Sequence, residues 1–373
     1  MPFLDLKSQQ NKIITQINKS IKRVLDHGKY IMGPEVFELE EKLASYSNVK
    51  NVITCSSGTD ALMMVLMAKQ IGPGDAIFLP SFTYTATPEV VAILGATPIF
   101  VDVLFDTYNI DAKSLLKSIG IAKEHGLKPK AIIAVDLFGQ PSDYNALEKI
   151  ADENKLWILA DAAQSYGAEF FKKKVGKLAH ATATSFFPAK PLGCYGDGGA
   201  IFTDNDELAD TLRSIRVHGK GEHKYDNVRI GLNARLDTIQ AAILLEKIKI
   251  FDNELKVRQN VADYYNKMLK NIVQVPFVIK NAKSAWAQYT IQLPDKSFRE
   301  TLMSELKKVG IPSMIYYQKP LHLQTAYKQF PKSNSLTVSE EISEKVLSLP
   351  INLKHSSYIT QKFCEIFKKI FEN

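Results

Sequence analysis

Short apolar runs alternate with amphipathic segments over the first 245 residues of this 373-residue chain. The runs read NVITC, AIFLP, TPIFVDV, AIIAVDLFG and LWILAD. Between them, segments such as 58–70 and 143–154 place their apolar residues at helical spacing. Apolar strands that are separated by helices are typical of a sheet with helices on both faces. The alternation therefore predicts an α/β fold whose large domain has a mostly parallel sheet between helices.

The character of the sequence changes after a long helical stretch over residues 236–270. Beyond it, the runs VQVPFVI, AWAQYTIQL and IPSMIYY surround a predicted helix over 297–309, a mixture that is typical of α+β structure. We therefore predict a large domain over 1–245 and a smaller C-terminal α+β domain over 246–373. The last stretch, 359–371, has apolar residues on one helix face, which packs either on its own domain or on a partner.

The composition argues against several classes of protein. The chain carries 47 Lys and Arg against 40 Asp and Glu, but its lysines are scattered and form no stripe that would bind nucleic acid. No uncharged apolar run approaches the ~18 residues that a membrane span needs, and the amino terminus lacks the apolar stretch of a secretory signal. Three cysteines without a CxxC pair do not suggest disulfides or a zinc site. We expect a cytoplasmic protein that binds no metal, membrane or nucleic acid.

Polar side chains follow several of the predicted strands, where ligands bind in open α/β sheets. The first group is CSSGTDAL, in which Ser57, Gly58 and Thr59 open a predicted helix. Free N–H groups at a helix start that contains glycine form an anion site, and the hydroxyls of Ser57 and Thr59 add donors. The same residues also suit an ordinary helix N-cap, and taken alone the pattern favours that interpretation.

Asp161 ends the apolar run LWILAD and needs a partner, because a buried carboxylate without one is costly. It either caps the following turn or pairs with the protonated ring nitrogen of a bound cofactor. Gln164, three residues further on, is within reach of the same ligand.

Lys190 stands between two prolines in SFFPAKPLGCYGDGGA, residues 185–200. A lysine amine forms a Schiff base with a carbonyl, and it becomes nucleophilic when desolvation or nearby charge lowers its pKa. The small and cyclic neighbours leave room for a bulky flat group, and Ser185 is a second candidate phosphate donor. The alternative interpretation is an ordinary surface lysine in a turn.

A phosphate cradle, a carboxylate for a ring nitrogen and a Schiff-base lysine are the parts of a pyridoxal phosphate (PLP) site. Each part is weak alone, whereas their conjunction in this order on an α/β sheet is specific. No GxGxxG follows a predicted strand, and the chain contains neither a Walker A sequence nor HExxH. These absences argue against a dinucleotide, P-loop or zinc-hydrolase site.

Two further segments, RVHG (216–219) and NARLDTIQAA (233–242), lie beyond these strands. Arg216 and His218 suit a small anionic ligand, or else an ordinary solvated loop. The helix that follows Asn233 is apolar enough for either the core or a subunit interface.

These motifs, together with GKYIMGPEVFELEEKLA, SSGTDAL, PSFTYTAT and DAAQSYGA, resemble the DegT/DnrJ/EryC1/StrS family of nucleotide-sugar aminotransferases over essentially the whole chain. The resemblance implies a PLP-dependent transferase of the aspartate aminotransferase-like fold. A branch of this family that dehydrates its sugar has His in place of the lysine. Lys190 therefore favours amino transfer.

The resemblance also implies a role for each candidate residue. Lys190 would bind pyridoxal 5'-phosphate as a Schiff base and shuttle a proton, and Asp161 would pair with the ring nitrogen. The other cofactor contacts would come from Gly58, Thr59, Phe82, Gln164, Ser185 and, from the neighbouring subunit of a homodimer with shared active sites, Asn233. Contacts to the sugar would come from Tyr30, Arg216, His218, Tyr316, Tyr317 and His322.

Within the family, FFPAKPLGCYGDGGA and KYDNVRIGLNARLDT most resemble enzymes that aminate the 3-keto group of a UDP-linked N-acetyl hexosaminuronate, with glutamate as the amino-acid donor. This predicts an enzyme of bacterial surface polysaccharide biosynthesis. The segment IYYQKPLHLQ, which usually faces the sugar, departs from the His-Tyr-Pro of many relatives, so a 4-keto nucleotide-sugar is the alternative substrate. A non-catalytic regulatory protein on the same fold would be expected to lack Lys190 or Asp161.

Overall fold

A seven-stranded sheet lies at the centre of the computed structural model, which describes residues 1–223, 225–332, 335–351 and 355–371. The strands are β1 (Asn51–Cys55), β2 (Asp75–Pro80), β3 (Thr97–Val101), β4 (Lys128–Val135), β5 (Trp157–Asp161), β6 (Glu169–Phe170), β7 (Lys173–Lys174), β8 (Ala181–Ser185), β9 (Gly199–Thr203), β10 (Ala282–Lys283), β11 (Tyr289–Gln292) and β12 (Val346–Leu349). The helices are α1 (Leu6–His27), α2 (Pro34–Ser47), α3 (Gly58–Ala68), α4 (Ala86–Ile93), α5 (Ala112–Glu124), α6 (Tyr144–Asn154), α7 (Asp206–Ile215), α8 (Thr238–Ile248), α9 (Phe251–Leu269), α10 (Lys296–Lys308), α11 (Thr337–Lys345) and α12 (Ser356–Phe371).

The central sheet has the strand order β1-β9-β8-β5-β4-β2-β3. Neighbouring strands pair in parallel from β8 through β5, β4 and β2 to β3. Strand β9 pairs antiparallel with both β1 and β8, so it alone runs against the other strands of this sheet. The prediction of a mostly parallel sheet in an α/β fold is confirmed.

Alternate residues of each central strand are buried on opposite faces of the sheet. Ile77 and Leu79 of β2 pack with α3, α4 and α7, whereas Ala76 and Phe78 pack with α5 and α6. Because both faces are covered, consecutive residues of these strands are buried, which is why the sequence shows short continuous apolar runs. Their carboxyl ends meet at one edge of the sheet, where the loops carry the candidate site residues.

The C-terminal part of the chain forms a second layer of strands and helices. Strands β11 and β12 pair antiparallel, and α9, α10 and α12 pack around them in one apolar cluster. Phe363 of α12 is fully buried in that cluster, so the face of the last helix packs on its own domain. The predicted boundary at residue 245 falls inside α8 and stays a prediction. Residues 333–334, 352–354 and 372–373 of the predicted small domain lie outside the described residues.

The two parts of the chain are joined by direct contacts near the carboxyl edge of the sheet. Leu321 and Tyr327 pack into the cluster of α3, and Asp102, just after β3, accepts hydrogen bonds from Val338 and Ser339 of α11. The C-terminal part therefore supplies one wall of the region beyond the strand ends. None of the helices in the described ranges is long and apolar enough to span a bilayer. A cytoplasmic location stays a prediction.

Candidate active site

Asp161 is the last residue of β5, and its side chain is only 7% exposed. Its Oδ2 accepts a 2.9 Å hydrogen bond from the hydroxyl of Thr87, and its Oδ1 accepts a 3.2 Å bond from the backbone N–H of Ala163. Burial raises the pKa of the Asp161 carboxyl, while these two hydrogen bonds and the charge of Lys190 act in the opposite direction. Two bonds leave part of the acceptor capacity of a carboxylate unused, so a further donor fits here.

Lys190 lies in the loop that follows β8, close enough to Asp161 for their charges to interact. The loop is tied down by its own backbone, since the N–H of Lys190 donates to the carbonyl of Phe187 and that of Cys194 donates to Phe186. Burial lowers the pKa of the Lys190 ammonium, and Asp161 partly opposes this effect. The structure therefore brings together the two residues that the sequence puts forward for catalysis.

The start of α3 packs directly against the end of β8. A Cβ added to Gly58 would lie 2.7 Å from the Cβ of Ser185, so only glycine allows this approach. Ser57 caps the helix by accepting a 3.0 Å bond from the N–H of Asp60. The N-cap interpretation is thus correct for Ser57, and it leaves the first turn of α3, with Gly58 and Thr59, beside the Ser185 hydroxyl as a site for an anion.

Gln164 and Phe82 lie beside Asp161 at the same edge of the sheet. Gln164 Oε1 accepts a 2.8 Å bond from the N–H of Phe138, and its Nε2 donates a 3.2 Å bond to the hydroxyl of Tyr317. The fully buried ring of Phe82 lies 6.1 Å from that of Tyr317, between ring centroids. Tyr317 therefore reaches from the C-terminal part of the chain onto both predicted cofactor residues.

Two of the predicted sugar contacts are occupied by internal partners. Arg216 is buried, and its Nη1 donates to Glu40 Oε1 at 2.6 Å and to the carbonyl of Thr54 at 3.0 Å. His322 is also buried, with its Nδ1 at 2.5 Å from the hydroxyl of Ser81 and its Nε2 at 3.0 Å from Glu340. Arg216 and His322 therefore each have internal partners, while the Nε of Arg216 is buried with no hydrogen-bond partner among the described residues.

The other predicted residues lie where a ligand or a partner could reach them. Tyr30, His218 and Asn233 are exposed, and among the described residues no hydrogen bond joins their side chains to the Lys190–Asp161 pair. Tyr316 is half-buried, with its ring 6.3 Å from that of Phe3. The exposure of Asn233 is what a contact to a neighbouring subunit requires.

The sequence matches the DegT/DnrJ/EryC1/StrS aminotransferase family over residues 11–368. The chain belongs to this family. It is 45% identical, over 94% of both chains, to the UDP-2-acetamido-2-deoxy-3-oxo-D-glucuronate aminotransferase of Pseudomonas aeruginosa. Its fold matches the crystal structure of a DegT/DnrJ/EryC1/StrS aminotransferase from Brucella abortus with a TM-score of 0.96 and 50% identity, over 99% of each chain.

A further structural relative, NtdA of Bacillus subtilis, was solved with bound cofactor PMP. It matches this fold with a TM-score of 0.87 and 30% identity, over 96% of this chain and 82% of that one. The protein is therefore a PLP-dependent aminotransferase, and its sheet has the fold of that enzyme class.

The residues at the carboxyl edge fit this cofactor. Because Gly58 has no side chain, the start of α3 approaches Ser185 closely and leaves its N–H groups open to a phosphate, and we call this position the cradle. Asp161 is a buried carboxylate that can accept a further hydrogen bond, which suits a protonated ring nitrogen.

Sequence reasoning missed Thr87 and Asp136, which both bond to the segment around Asp161. Thr87 lies in the quoted PSFTYTAT motif, but nothing in that string indicates that its hydroxyl faces a carboxylate 74 residues away. Asp136 follows a predicted strand as Asp161 does, and this shared position is the signal that could have singled it out.

Proposed function

We propose that this aminotransferase moves the amino group of glutamate to a nucleotide-linked keto-sugar, UDP-2-acetamido-2-deoxy-3-oxo-hexuronate, for bacterial surface polysaccharide biosynthesis. The observation that carries the proposal is the similarity to the Pseudomonas relative, whose name states this sugar and this reaction. That similarity spans both predicted domains, so it includes the C-terminal wall of the site as well as the sheet. A 4-keto nucleotide-sugar is the alternative substrate.

In this proposal Lys190 and Asp161 carry out the proton chemistry. When bound, PLP supplies a ring that accepts electrons while an amino group is exchanged. Lys190 holds the cofactor and then moves a proton at the substrate carbon, a task that its lowered pKa favours. Asp161 accepts a hydrogen bond from the ring nitrogen and keeps that nitrogen protonated. Phe82 and Gln164, which are both in contact with Tyr317, would orient the ring.

We assign the phosphate of the cofactor to the start of α3. The N–H groups of the first helical turn, at Gly58 and Thr59, lie beside the hydroxyl of Ser185, whose oxygen also accepts a 3.2 Å bond from the N–H of Phe187. The helix dipole adds a favourable potential for a dianion there. For the sugar nucleotide we keep Tyr30, His218, Tyr316 and Tyr317 as candidate contacts. We leave out Arg216, because its Nη1 is bonded to Glu40 and Thr54, and His322, because its two ring nitrogens face Ser81 and Glu340.

We also propose a homodimer in which each site is completed by Asn233 of the neighbouring subunit. The support is the exposure of Asn233 and of the apolar side chains that precede it, Val228 and Ile230, the second of which is 86% exposed. Exposed apolar side chains of this size mark an interaction surface. In a symmetric dimer the same surface on each chain would cover the other chain's site.

The experiment is to incubate the purified, PLP-loaded protein with glutamate and a panel of UDP- and dTDP-linked keto-sugars, including 3-keto and 4-keto forms. Mass spectrometry of the nucleotide products and an assay of 2-oxoglutarate measure the two half-reactions separately. We expect an amino-sugar from the 3-keto uronate, with one equivalent of 2-oxoglutarate. Lys190→Ala is the control, and it should give neither product.

Each other outcome contradicts a stated part of the proposal. Product from 4-keto sugars alone would replace the substrate assignment with the alternative. An amino-sugar that forms only with another amino acid would overturn glutamate as the donor. Failure of every sugar, with PLP bound, would favour a non-catalytic regulator. Reduction with borohydride should fix the cofactor on Lys190, and a peptide map with the label on another lysine would overturn that assignment.

A further inference from the structure

A second carboxylate, that of Asp136, is buried behind Asp161. Asp136 follows the last residue of β4, the strand that pairs in parallel with β5, and Val135 lies opposite Asp161 in that pair. The backbone N–H of Asp136 donates a 3.1 Å bond to the carbonyl of Asp161. The side chain of Asp136 is fully buried, and the role of this acid is not explained by the cofactor contacts described above.

The carboxylate of Asp136 accepts three hydrogen bonds. Its Oδ1 accepts bonds of 2.8 Å from the N–H of Ser142 and 2.9 Å from the hydroxyl of Tyr144, and its Oδ2 accepts a 2.8 Å bond from the hydroxyl of Ser165. Ser165 directly follows Gln164 in the chain. The acid therefore fixes the segment that runs from Asp161 to Ser165, which carries two of the predicted ring contacts, Asp161 and Gln164.

We propose that Asp136 is a positioning residue that acts on the cofactor through Asp161, adding a second negative charge behind the ring-nitrogen partner. This inference rests on the role proposed above for Asp161. An ionised Asp136 favours a positive charge in front of Asp161, so it helps to keep the ring nitrogen protonated. Neutral Asp136 leaves the geometry in place and removes that contribution.

The surroundings of Asp136 place its protonation near neutral pH. Burial raises the pKa of Asp136 to about 7, the hydrogen bonds from Ser142, Ser165 and Tyr144 lower it, and the charge of Asp161 raises it. The titratable groups that face it are Tyr144, whose own pKa is raised by burial, and Asp161, whose charge in turn interacts with that of Lys190. Because the ionised form is the one that helps, kcat should fall as pH drops through this range.

The decisive variant is Asp136→Asn, which removes the charge and keeps the hydrogen bonds. The amide oxygen can accept from Ser142 and Tyr144, and the amide nitrogen can donate to the hydroxyl of Ser165. We expect kcat at pH 8 to fall on the order of tenfold. The step in kcat near pH 7 should disappear, with little change in the KM for the amino donor.

Asp102→Asn is the matched control, since Asp102 is a buried carboxylate at the same edge of the sheet, just after β3. It accepts bonds from Val338 and from the N–H and hydroxyl of Ser339, all away from Asp161. Its substitution should lower the free energy of unfolding and leave the pH profile of kcat unchanged. Tyr144→Phe is a second variant, and the loss of its donor should move the step toward higher pH.

A readout independent of turnover is infrared difference spectroscopy of the carboxyl C=O band, recorded against pH with and without PLP. Wild type should show a protonated carboxyl that titrates near pH 7 and is absent from Asp136→Asn. The proposal is overturned if Asp136→Asn keeps the wild-type pH profile, or if Asp102→Asn alters that profile equally. Should Asp136→Asn not fold, an unmoved step in Tyr144→Phe would overturn it. Absence of any sugar turnover in wild type would instead contradict the proposed substrate, and the infrared titration would still test Asp136.

Discussion

The hydroxyl of Thr87 donates a 2.9 Å hydrogen bond to Oδ2 of Asp161, from the start of α4 to the end of β5. The proposed role of Asp161 requires one of its oxygens to face the ring nitrogen of the cofactor, so a fixed donor to Oδ2 helps to set the orientation of the carboxylate. The bond also favours the ionised form, against the burial that raises the pKa of Asp161.

Thr87→Val removes this donor and keeps the shape of the side chain. We expect kcat to fall about three- to tenfold, because one hydrogen bond to a charged group contributes about 1.5–3 kcal/mol and part of it survives through Ala163. The pKa of Asp161 should rise further, which steady-state kinetics against pH would detect as an acid limb at higher pH. Thr182→Val is the matched control on β8, since the buried hydroxyl of Thr182 has no partner among the described residues. Equal losses in both variants would contradict the role of Thr87.

Asp161→Asn should impair catalysis far more than folding. Asn keeps the shape of the side chain but cannot stabilise a protonated ring nitrogen. The lost interaction contributes about 1.5–3 kcal/mol and more in the transition state. We therefore expect kcat to fall about ten- to a hundredfold. Turnover of the Asn variant close to wild type would contradict the assignment.

The same substitution should not lower the stability of the cofactor-free protein, although it lowers kcat. Burial raises the pKa of Asp161 in the folded state above the unfolded value of about 3.9. Between these two pKa values the folded state therefore binds more protons than the unfolded state. The contribution of Asp161 to the free energy of unfolding therefore decreases as pH rises from 4 through the folded pKa. Asn removes this dependence, so denaturant unfolding of Asp161→Asn at pH 7 should require at least as much free energy as wild type.

The location of the site could be predicted because it depends on local pattern. Asp161 and Ser185 each end a recognisable strand, and the carboxyl ends of parallel strands meet at one edge whatever their order. The direction of β9 could not be predicted, because all residues of GAIFT are buried and a parallel and an antiparallel strand would show the same apolar pattern. The contact of Tyr317 with Gln164 is equally invisible, because 153 residues separate them and only the packing of the C-terminal part brings them together.

Arg216 shows that local pattern can also predict a contact that the fold gives to another residue. Its place in RVHG suggests an anion ligand, and the structure gives that anion as Glu40, 176 residues earlier in the chain. A charge pair at this separation leaves no local trace in a single sequence. Burial, which decides whether an arginine meets a ligand or a side chain, is a property of the assembled fold.

Gly58→Ala tests the cradle at the start of α3. The added methyl group would lie 2.7 Å from the Cβ of Ser185, so either β8 or α3 must shift. We expect a loss of about 1–3 kcal/mol in the free energy of unfolding, as in other overpacked cores, and a PLP dissociation constant raised at least tenfold. Gly120→Ala in α5 meets no atom within 4 Å, and it should stabilise the helix by up to about 1 kcal/mol. Unchanged PLP affinity in Gly58→Ala would rule out the cradle.

Arg216→Met should act on stability and not on the sugar. It leaves the half-buried carboxylate of Glu40 without its charged partner, while the N–H and hydroxyl of Thr54 still donate to it. Breaking a buried pair costs about 3–5 kcal/mol, and the two remaining bonds should keep the loss toward the lower end of that range. The double variant Glu40→Gln/Arg216→Met should recover part of that loss, while KM for the nucleotide-sugar stays within twofold of wild type. Arg213→Met, which removes an exposed pair with Asp210, should change little in either measurement. If Arg216→Met raises KM for the nucleotide-sugar strongly and the double variant has the same high KM, then Arg216 contacts the nucleotide-sugar.

The last prediction concerns the origin of the two halves of each site. Lys190 and Asp161 lie together within one chain, whereas Asn233 is exposed and is proposed to act on the neighbouring subunit. Mixing Lys190→Ala chains with Asn233→Ala chains produces heterodimers. If Asn233 acts between subunits, one site of each heterodimer collects both defects and the other has neither. Each heterodimer should then recover about half of the wild-type activity, as follows from two-fold symmetry.

Mixtures of Lys190→Ala and Asp161→Ala provide the control, because both residues belong to the same half of the site. Every heterodimer of that pair has one defect in each site, so no activity should return. Activity is measured after subunit exchange has been verified with tagged chains, and after Asn233→Ala alone has been shown to be strongly impaired. If the Asn233 mixture stays as inactive as the Asp161 mixture, then Asn233 acts within its own chain. The dimer would in that case cover the site without contributing to it.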